Sequence, residues 1–477
     1  MNLPDRLALL WGASFFSGSL AQMVARLTGL PIVLLLLGVG LLCGESGLGL
    51  IQTSLMGRSL EPLVGLLVCL VLFDGGLNLR LAGPTLQRSV LQLVLVRALL
   101  GFACAALLAH LLVGLSMSLA LVYGAIALAT GPTVVAPILR QLGLAPFLSR
   151  LLEAEGLILE PVGAVLALLL LDLAVGDLGR WQDVVVRLLV RLGGGVLIGA
   201  LAGWLLSQVL LRLNVPGGGA AELPGSEPAA SGSPTAAPGA IATQVAGSGP
   251  DGPGLHPLED SALPLQLTLG TLFLLFSACE ALLPESGLPA AVSAGVVVGL
   301  RLERSATFLD ELIAQLALLA ITVLFPLLAA DVTRQELLLP GLGGVLCVLA
   351  LTPARWLVVQ IAGLGLPLNG SEKLMLSWLA PRGIVTAAVG SLFALRLEEA
   401  GVPGAGLLKG LVFLTILLTV GLQGATAPWL ARHLGLNGSA LPDPPTAEGL
   451  PAAESGGGTG PGLLAVPSAP LPAGDPP

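Results

Sequence analysis

The stretch LLEAEGLILEPVGA, residues 151–164, lies inside a long apolar run yet carries three carboxylates, Glu153, Glu155 and Glu160. Read as a helix, it places Glu160 roughly 15 Å along the axis from Arg150, the nearest cation, about the depth of a bilayer midplane. An ionisable group at that depth is costly and marks a functional site by default. Glu153, Gly156, Glu160 and Gly163 recur at i, i+3, i+7 and i+10, so they share one helix face. The glycines leave that face bare, and other backbone can come close to the carboxylate. The competing reading is a carboxylate neutralised by a structural Arg.

The rest of the chain sets that stretch in a membrane. Of 477 residues, 55% are hydrophobic and only 10% charged, against about 25% charged in a soluble protein. Mean hydropathy is +0.94. The apolar runs are continuous rather than alternating, which excludes a β-barrel and predicts an all-α polytopic membrane protein. The net charge of −8 sits mostly in turns and argues against a nucleic-acid partner. Five Cys lie singly in apolar runs and three His are scattered. They supply neither a metal-ligand spacing nor a nucleophile–base pair, so no metal, no cofactor and no enzymatic chemistry are expected.

Apolar periodicity gives about thirteen spans, near 7–26, 30–50, 60–80, 88–114, 116–139, 148–175, 182–213, 263–283, 287–300, 307–330, 337–362, 372–396 and 404–432. Spans 1–7 occupy residues 1–213. Residues 214–262 are Gly/Pro/Ala/Ser-rich and read as a disordered linker. Spans 8–13 occupy 263–433, and 434–477 reads as a disordered tail. The first span lacks a cleavage pattern and is expected to be retained. With the N-terminus outside, ten Lys/Arg fall in cytoplasmic turns (Arg26, Arg80, Arg88, Arg140, Arg150, Arg212, Arg301, Arg304, Lys373, Arg432). Six fall in outer turns (Arg6, Arg58, Arg180, Arg334, Arg396, Lys409). That bias predicts a plasma (inner) membrane protein with its N-terminus outside and its C-terminus and linker cytoplasmic.

Spans 1–6 and 8–13 read as two repeats, in which span 5 corresponds to span 12. Both carry breakers at mid-membrane: ALATGPTVVAPILRQ (127–141) and WLAPRGIVTAAV (378–389). Gly131 with Pro132, and Pro381 with Gly383, should interrupt the two helices. A Pro kink accounts for either motif alone. Two at corresponding positions, seven spans apart and hence oppositely directed, are the mark of an inverted-repeat transporter.

The groups near the breaks are oxygens. Thr130 offers a hydroxyl, the unwound backbone at 129–131 offers carbonyls, Asp74 ends FDGGLNL (73–79), and Glu160 supplies a full charge. Such ligands suit a hard monovalent cation. Burial disfavours the charged form of Glu160, so a proton and a cation compete for it. Arg382, deep at the second break, needs an acid, and Glu155 is the best candidate on sequence grounds, forming an ion pair that holds span 6 to span 12. Arg97 and Arg355 are also deep, with partners not identifiable from sequence. Asp331 and Glu280 lie near helix ends and are expected to be solvated.

FDGGLNL, ATGP (129–132), EAEGLILEP (153–161) and APRG (380–383), in this order and on spans 3, 5, 6 and 12, resemble the monovalent cation/proton antiporters of the CPA1 type. Those are the NhaP and sodium/hydrogen exchanger proteins. The resemblance covers nearly all of spans 1–13. It implies a thirteen-helix NhaA/NhaP-like fold of inverted repeats with two discontinuous crossing helices, a homodimer, and a core domain that moves. It assigns Asp74, Thr130 and Glu160 to ion and proton binding and pairs Glu155 with Arg382. The chain departs from the family pattern at Gly131, where an Asp is usual, at Gly156 (Ser) and Leu159 (Asn), and in carrying Glu rather than Asp at 160. The implied activity is exchange of Na⁺ or K⁺ for H⁺, with only transported ions as ligands. K⁺/H⁺ exchange of the CPA2 type is the alternative, and a non-exchanging channel or sensor a third.

Overall fold

A computed structural model describes residues 3–45, 47–79, 83–131, 134–135, 138–139, 142–176, 181–213, 256–302 and 307–436. The 214–255 part of the expected linker, the tail beyond 436, and Pro132 lie outside the described residues. All regular structure among those described is helical. The helices are α1 (Leu3–Thr28), α2 (Ile32–Cys43), α3 (Leu60–Asn78), α4 (Pro84–Val113) and α5 (Met117–Leu128). They continue with α6 (Pro146–Val175), α7 (Trp181–Arg212), α8 (His256–Leu282), α9 (Gly287–Leu302) and α10 (Thr307–Ala330). The last are α11 (Arg334–Leu338), α12 (Gly341–Ala362), α13 (Gly370–Trp378), α14 (Ile384–Glu399) and α15 (Ala405–His433).

Among the described residues, nine helices are long and apolar enough to cross a membrane; α2, α5 and α9 are shorter apolar helices. The chain is therefore a multi-pass membrane protein. Its outward faces are apolar, as on α7, where Leu189, Leu197 and Leu201 are exposed, which suits lipid rather than water.

Two boundaries differ from expectation. α2 stops at Cys43, because the following Gly-rich turn folds back on it: Leu48 N–H donates to Leu42 O and Gly49, at φ +65°, donates to Gly44 O. At the other boundary α8 starts at His256, inside the segment read as linker. Pro257 falls in its first turn, where no N–H is needed, and Leu258-Glu259-Asp260 continues as helix.

Two groups of helices form. In one, α1, α2, α3, α7, α8, α9 and α10 pack on one another; in the other, α4, α5, α6, α12, α13, α14 and α15 do. Small residues let the first group approach backbone to backbone. A Cβ at Gly199 of α7 would lie 2.1 Å from Ala290 O, and one at Gly295 of α9 would lie 2.3 Å from Phe73 O of α3. Without a strong hydrophobic drive inside lipid, such close packing is what holds helices together. Charged contacts join the two groups at one face. Arg396 of α14 pairs with Glu61 of α3 at 2.8 Å, and Lys409 of α15 pairs with Asp331, just past α10, at 3.0 Å.

Candidate functional site

The site forms where two helices stop in mid-course. α5 ends at Leu128, residues 129–131 are non-helical, and helical geometry resumes at 134–135. α13 ends at Trp378, 379–383 are non-helical, and α14 begins at Ile384. The two gaps touch. Gly131 N–H donates to Pro381 O at 3.1 Å. A Cβ on Gly131 would lie 2.3 Å from Gly383 Cα, and one on Gly383 would lie 2.5 Å from Gly131 Cα. Both positions must be glycine, which gives a steric reason for the missing acid at 131.

Glu160 stands directly beside this contact: a Cβ on Gly383 would lie 2.9 Å from Glu160 Oε1. Its helix, α6, runs unbroken past Pro161, whose missing N–H leaves Leu157 O without its usual partner. Gly163, two residues on, faces α5, where a Cβ would lie 2.8 Å from Ala125 O. Glu160 is 1% exposed, and neither carboxylate oxygen has a hydrogen-bond partner. Val385, at the start of α14, presents its N–H beside it. Thr130, adjacent to Gly131, is also buried with a free hydroxyl. Two buried oxygen-bearing side chains without partners, on either side of a backbone crossing, are a costly arrangement in the absence of a ligand.

A cavity of about 370 Å³ is lined by Val385, the residue whose N–H lies beside Glu160, by the apolar Val68, Phe276, Leu288 and Phe393, and by Glu61, Glu280 and Glu285. Glu285, in the turn between α8 and α9, sits at φ +65°. Burial raises its carboxyl to about 8, and the nearby Glu280 charge adds to the rise. Glu280 is not solvated as expected: its carboxylate accepts the Glu285 and Gly287 N–H groups at 2.7 and 3.0 Å. Asp331 likewise holds Lys409 and accepts the Thr53 hydroxyl at 3.1 Å.

The expected Glu155–Arg382 pair is not formed. Glu155 is held instead by Arg97 of α4 and, at 3.1 Å, by Arg355 of α12. Arg355 also caps α13, donating to Leu376 O at 2.9 and 3.2 Å, which places a cation at the negative end of a half-helix. Arg382 turns back on its own segment, Nη1 donating to Ala380 O at 3.2 Å. The physical reason is supply: two guanidinium groups from continuous helices already fill both Glu155 oxygens. Asp74 accepts from Asn78 Nδ2 at 3.1 Å on α3, in the other helix group. No hydrogen bond or ion pair joins it to Glu160 or Thr130.

Sequence reasoning missed what braces the second gap. Thr419 Oγ1 accepts the Arg382 N–H at 3.3 Å, and Gln423 Oε1 accepts the Ala380 N–H at 3.0 Å. Thr415, Thr419 and Gln423 recur every four residues along the apolar middle of α15. That polar stripe was the available signal.

The comparisons concern the family and the fold. The family described as "Sodium/hydrogen exchanger, transmembrane" matches residues 12–220 and 257–433. A "Probable Na(+)/H(+) antiporter 2" of Methanocaldococcus jannaschii is 24% identical over 457 residues, covering 88% of this chain and 95% of that protein. The "Na(+)/H(+) antiporter ApNhaP" of Aphanothece halophytica is 27% identical over 222 residues, 45% of this chain and 40% of that one. The structure of the sodium proton antiporter MjNhaP1 from M. jannaschii at pH 8 superposes with a TM-score of 0.71 at 21% identity, over 89% of this chain and 100% of that chain. Two interrupted helices meeting beside one buried acid, on a fold shared with an NhaP antiporter, thus belong to a chain that is a member of the sodium/hydrogen exchanger family of membrane cation/proton antiporters.

Proposed function

We propose that this chain exchanges Na⁺ or K⁺ for H⁺ one for one, with Glu160 as the carboxylate both ions contest. The observation that carries this reading is the pair of buried, unpartnered Glu160 oxygens beside the Gly131–Gly383 contact. Thr130 Oγ1 and the non-helical carbonyls at 129–131 complete an oxygen ligand set for a hard cation. Glu155 takes no part in exchange, because Arg97 and Arg355 occupy both its oxygens; the trio fixes α6 to α4 and α12. The cavity lined by Val385 is the route from one membrane face.

The working unit is a homodimer of thirteen-crossing chains in the plasma membrane, N-terminus outside and C-terminus inside. In proteoliposomes carrying an imposed pH gradient, added Na⁺ or K⁺ should dissipate the gradient, and the more effective ion identifies the substrate. Glu160→Gln should abolish the response. Equal cation-driven proton flux in wild type and variant would refute the assignment.

A further inference from the structure

At the second gap a separate cavity of about 30 Å³ is lined by Arg97, Arg355 and Arg382, and Glu160 is not in its lining. Its walls include Cys104, Leu128 and Ala354. All three arginines are buried, at 3%, 7% and 5% exposure. Arg355 Nη1 and Arg382 Nε have no hydrogen-bond partner. The acid that answers them is Glu155, whose two oxygens take Arg97 and Arg355.

The local charge does not close. Three guanidinium charges face one carboxylate whose oxygens are both engaged. The C-terminal ends of α5 and α13, at Leu128 and Trp378, add about half a negative charge each, and the N-terminus of α14 at Ile384 about half a positive one. With Glu160 neutralised by its own proton or cation, more than one positive charge remains, in a low-dielectric interior where an unbalanced charge is expensive. The space exceeds the roughly 10–15 Å³ needed by a single water, and both residues that carry the free N–H donors line it.

We infer that this cavity is a binding site for one small monovalent anion, of the halide class, held between Arg355 and Arg382 and serving as the missing counter-charge at the α13–α14 gap. It lies apart from the cation site and is structural rather than transported.

The test uses the full-length protein purified in detergent. Crystals grown in NaBr should show an anomalous bromide peak in this cavity, within hydrogen-bond reach of Arg355 and Arg382. Thermal unfolding at fixed Na⁺ and ionic strength should show a midpoint that rises saturably as gluconate is replaced by chloride. At a free halide concentration 100 times its dissociation constant, the folded-to-unfolded ratio rises about 100-fold. Ala354→Leu, which fills the cavity, should remove that rise. The absence of a bromide peak, with ordered water in its place, would overturn the inference. So would a chloride-dependent midpoint that persists in Ala354→Leu. Neither readout involves exchange, so its failure is distinct from failure of the proposed antiport.

Discussion

Gly131→Ala tests whether the backbone contact between the two gaps is needed for exchange. The added Cβ would meet Gly383 Cα at 2.3 Å and Gly383 N at 2.7 Å. Carbon atoms settle at about 3.5–4.0 Å, so one segment must move by more than an ångström. The obstacle is backbone on both sides, and no flexible side chain can swing away. Gly383 is already packed against Glu160 Oε1, so the displacement is passed to the carboxylate. Overpacking of this kind costs about 1–3 kcal/mol, which a membrane bundle of this size can absorb. A misplacement near 1 Å at a reacting group costs on the order of 100-fold in rate. The expected result is a folded protein with exchange reduced about 100-fold and a raised KM for the cation. Gly131→Asp, which restores the acid of the resembled family, should fall at least as far. Gly193→Ala, where a Cβ meets nothing within 4 Å, is the control and should exchange like wild type. Wild-type rate and cation KM in Gly131→Ala would refute the reasoning.

Three other perturbations probe the surroundings. Glu155→Gln strips the shared partner from Arg97 and Arg355; breaking such a buried arrangement costs about 3–5 kcal/mol, so yield and thermal midpoint in detergent should fall steeply, more than for Glu160→Gln. Gln423→Leu leaves the Ala380 N–H unpaired and should cost about 1–3 kcal/mol, read as a lower midpoint with reduced exchange. Glu285→Gln concerns pH. The folded carboxyl titrates near 8, above its unfolded value of about 4.3, so the folded state binds the extra proton. Wild-type stability therefore falls as pH rises between these values and levels off above 8. Glu285→Gln should flatten that fall and be more stable than wild type at pH 9, by on the order of 1–2 kcal/mol after solvent screening. Midpoints measured from pH 5 to 9 check it.

Much of the fold was legible because bilayer thickness and apolar run length are tied together: the limits of α6, α7 and α10 fall within about two residues of the sequence reading. The gaps were legible because Gly and Pro act through the local backbone. Glu160 stood out because an acid is so costly in a long apolar run. The pairing of the arginines was not legible. Whether Glu155 meets Arg97, Arg355 or Arg382 depends on how three separate helices are rotated about their axes, and one apolar residue tells no more than another about that rotation. Glu280 escaped for a related reason. Its two backbone donors, Glu285 and Gly287, come from a turn whose shape depends on a left-handed residue at 285, and Glu is not a residue that announces such a conformation.

The bare state of Glu160 has a consequence for energy conversion. An ionised carboxylate with neither a cation nor a hydrogen-bond donor of its own is among the least favourable species a low-dielectric interior can hold. On the exchange proposed above, a permanent arginine on this acid would let it cross the membrane unladen, and ion gradients would drain through the empty return stroke. With Glu160 unpartnered, that proposal makes an unloaded crossing the most expensive step, which would couple one gradient to the other.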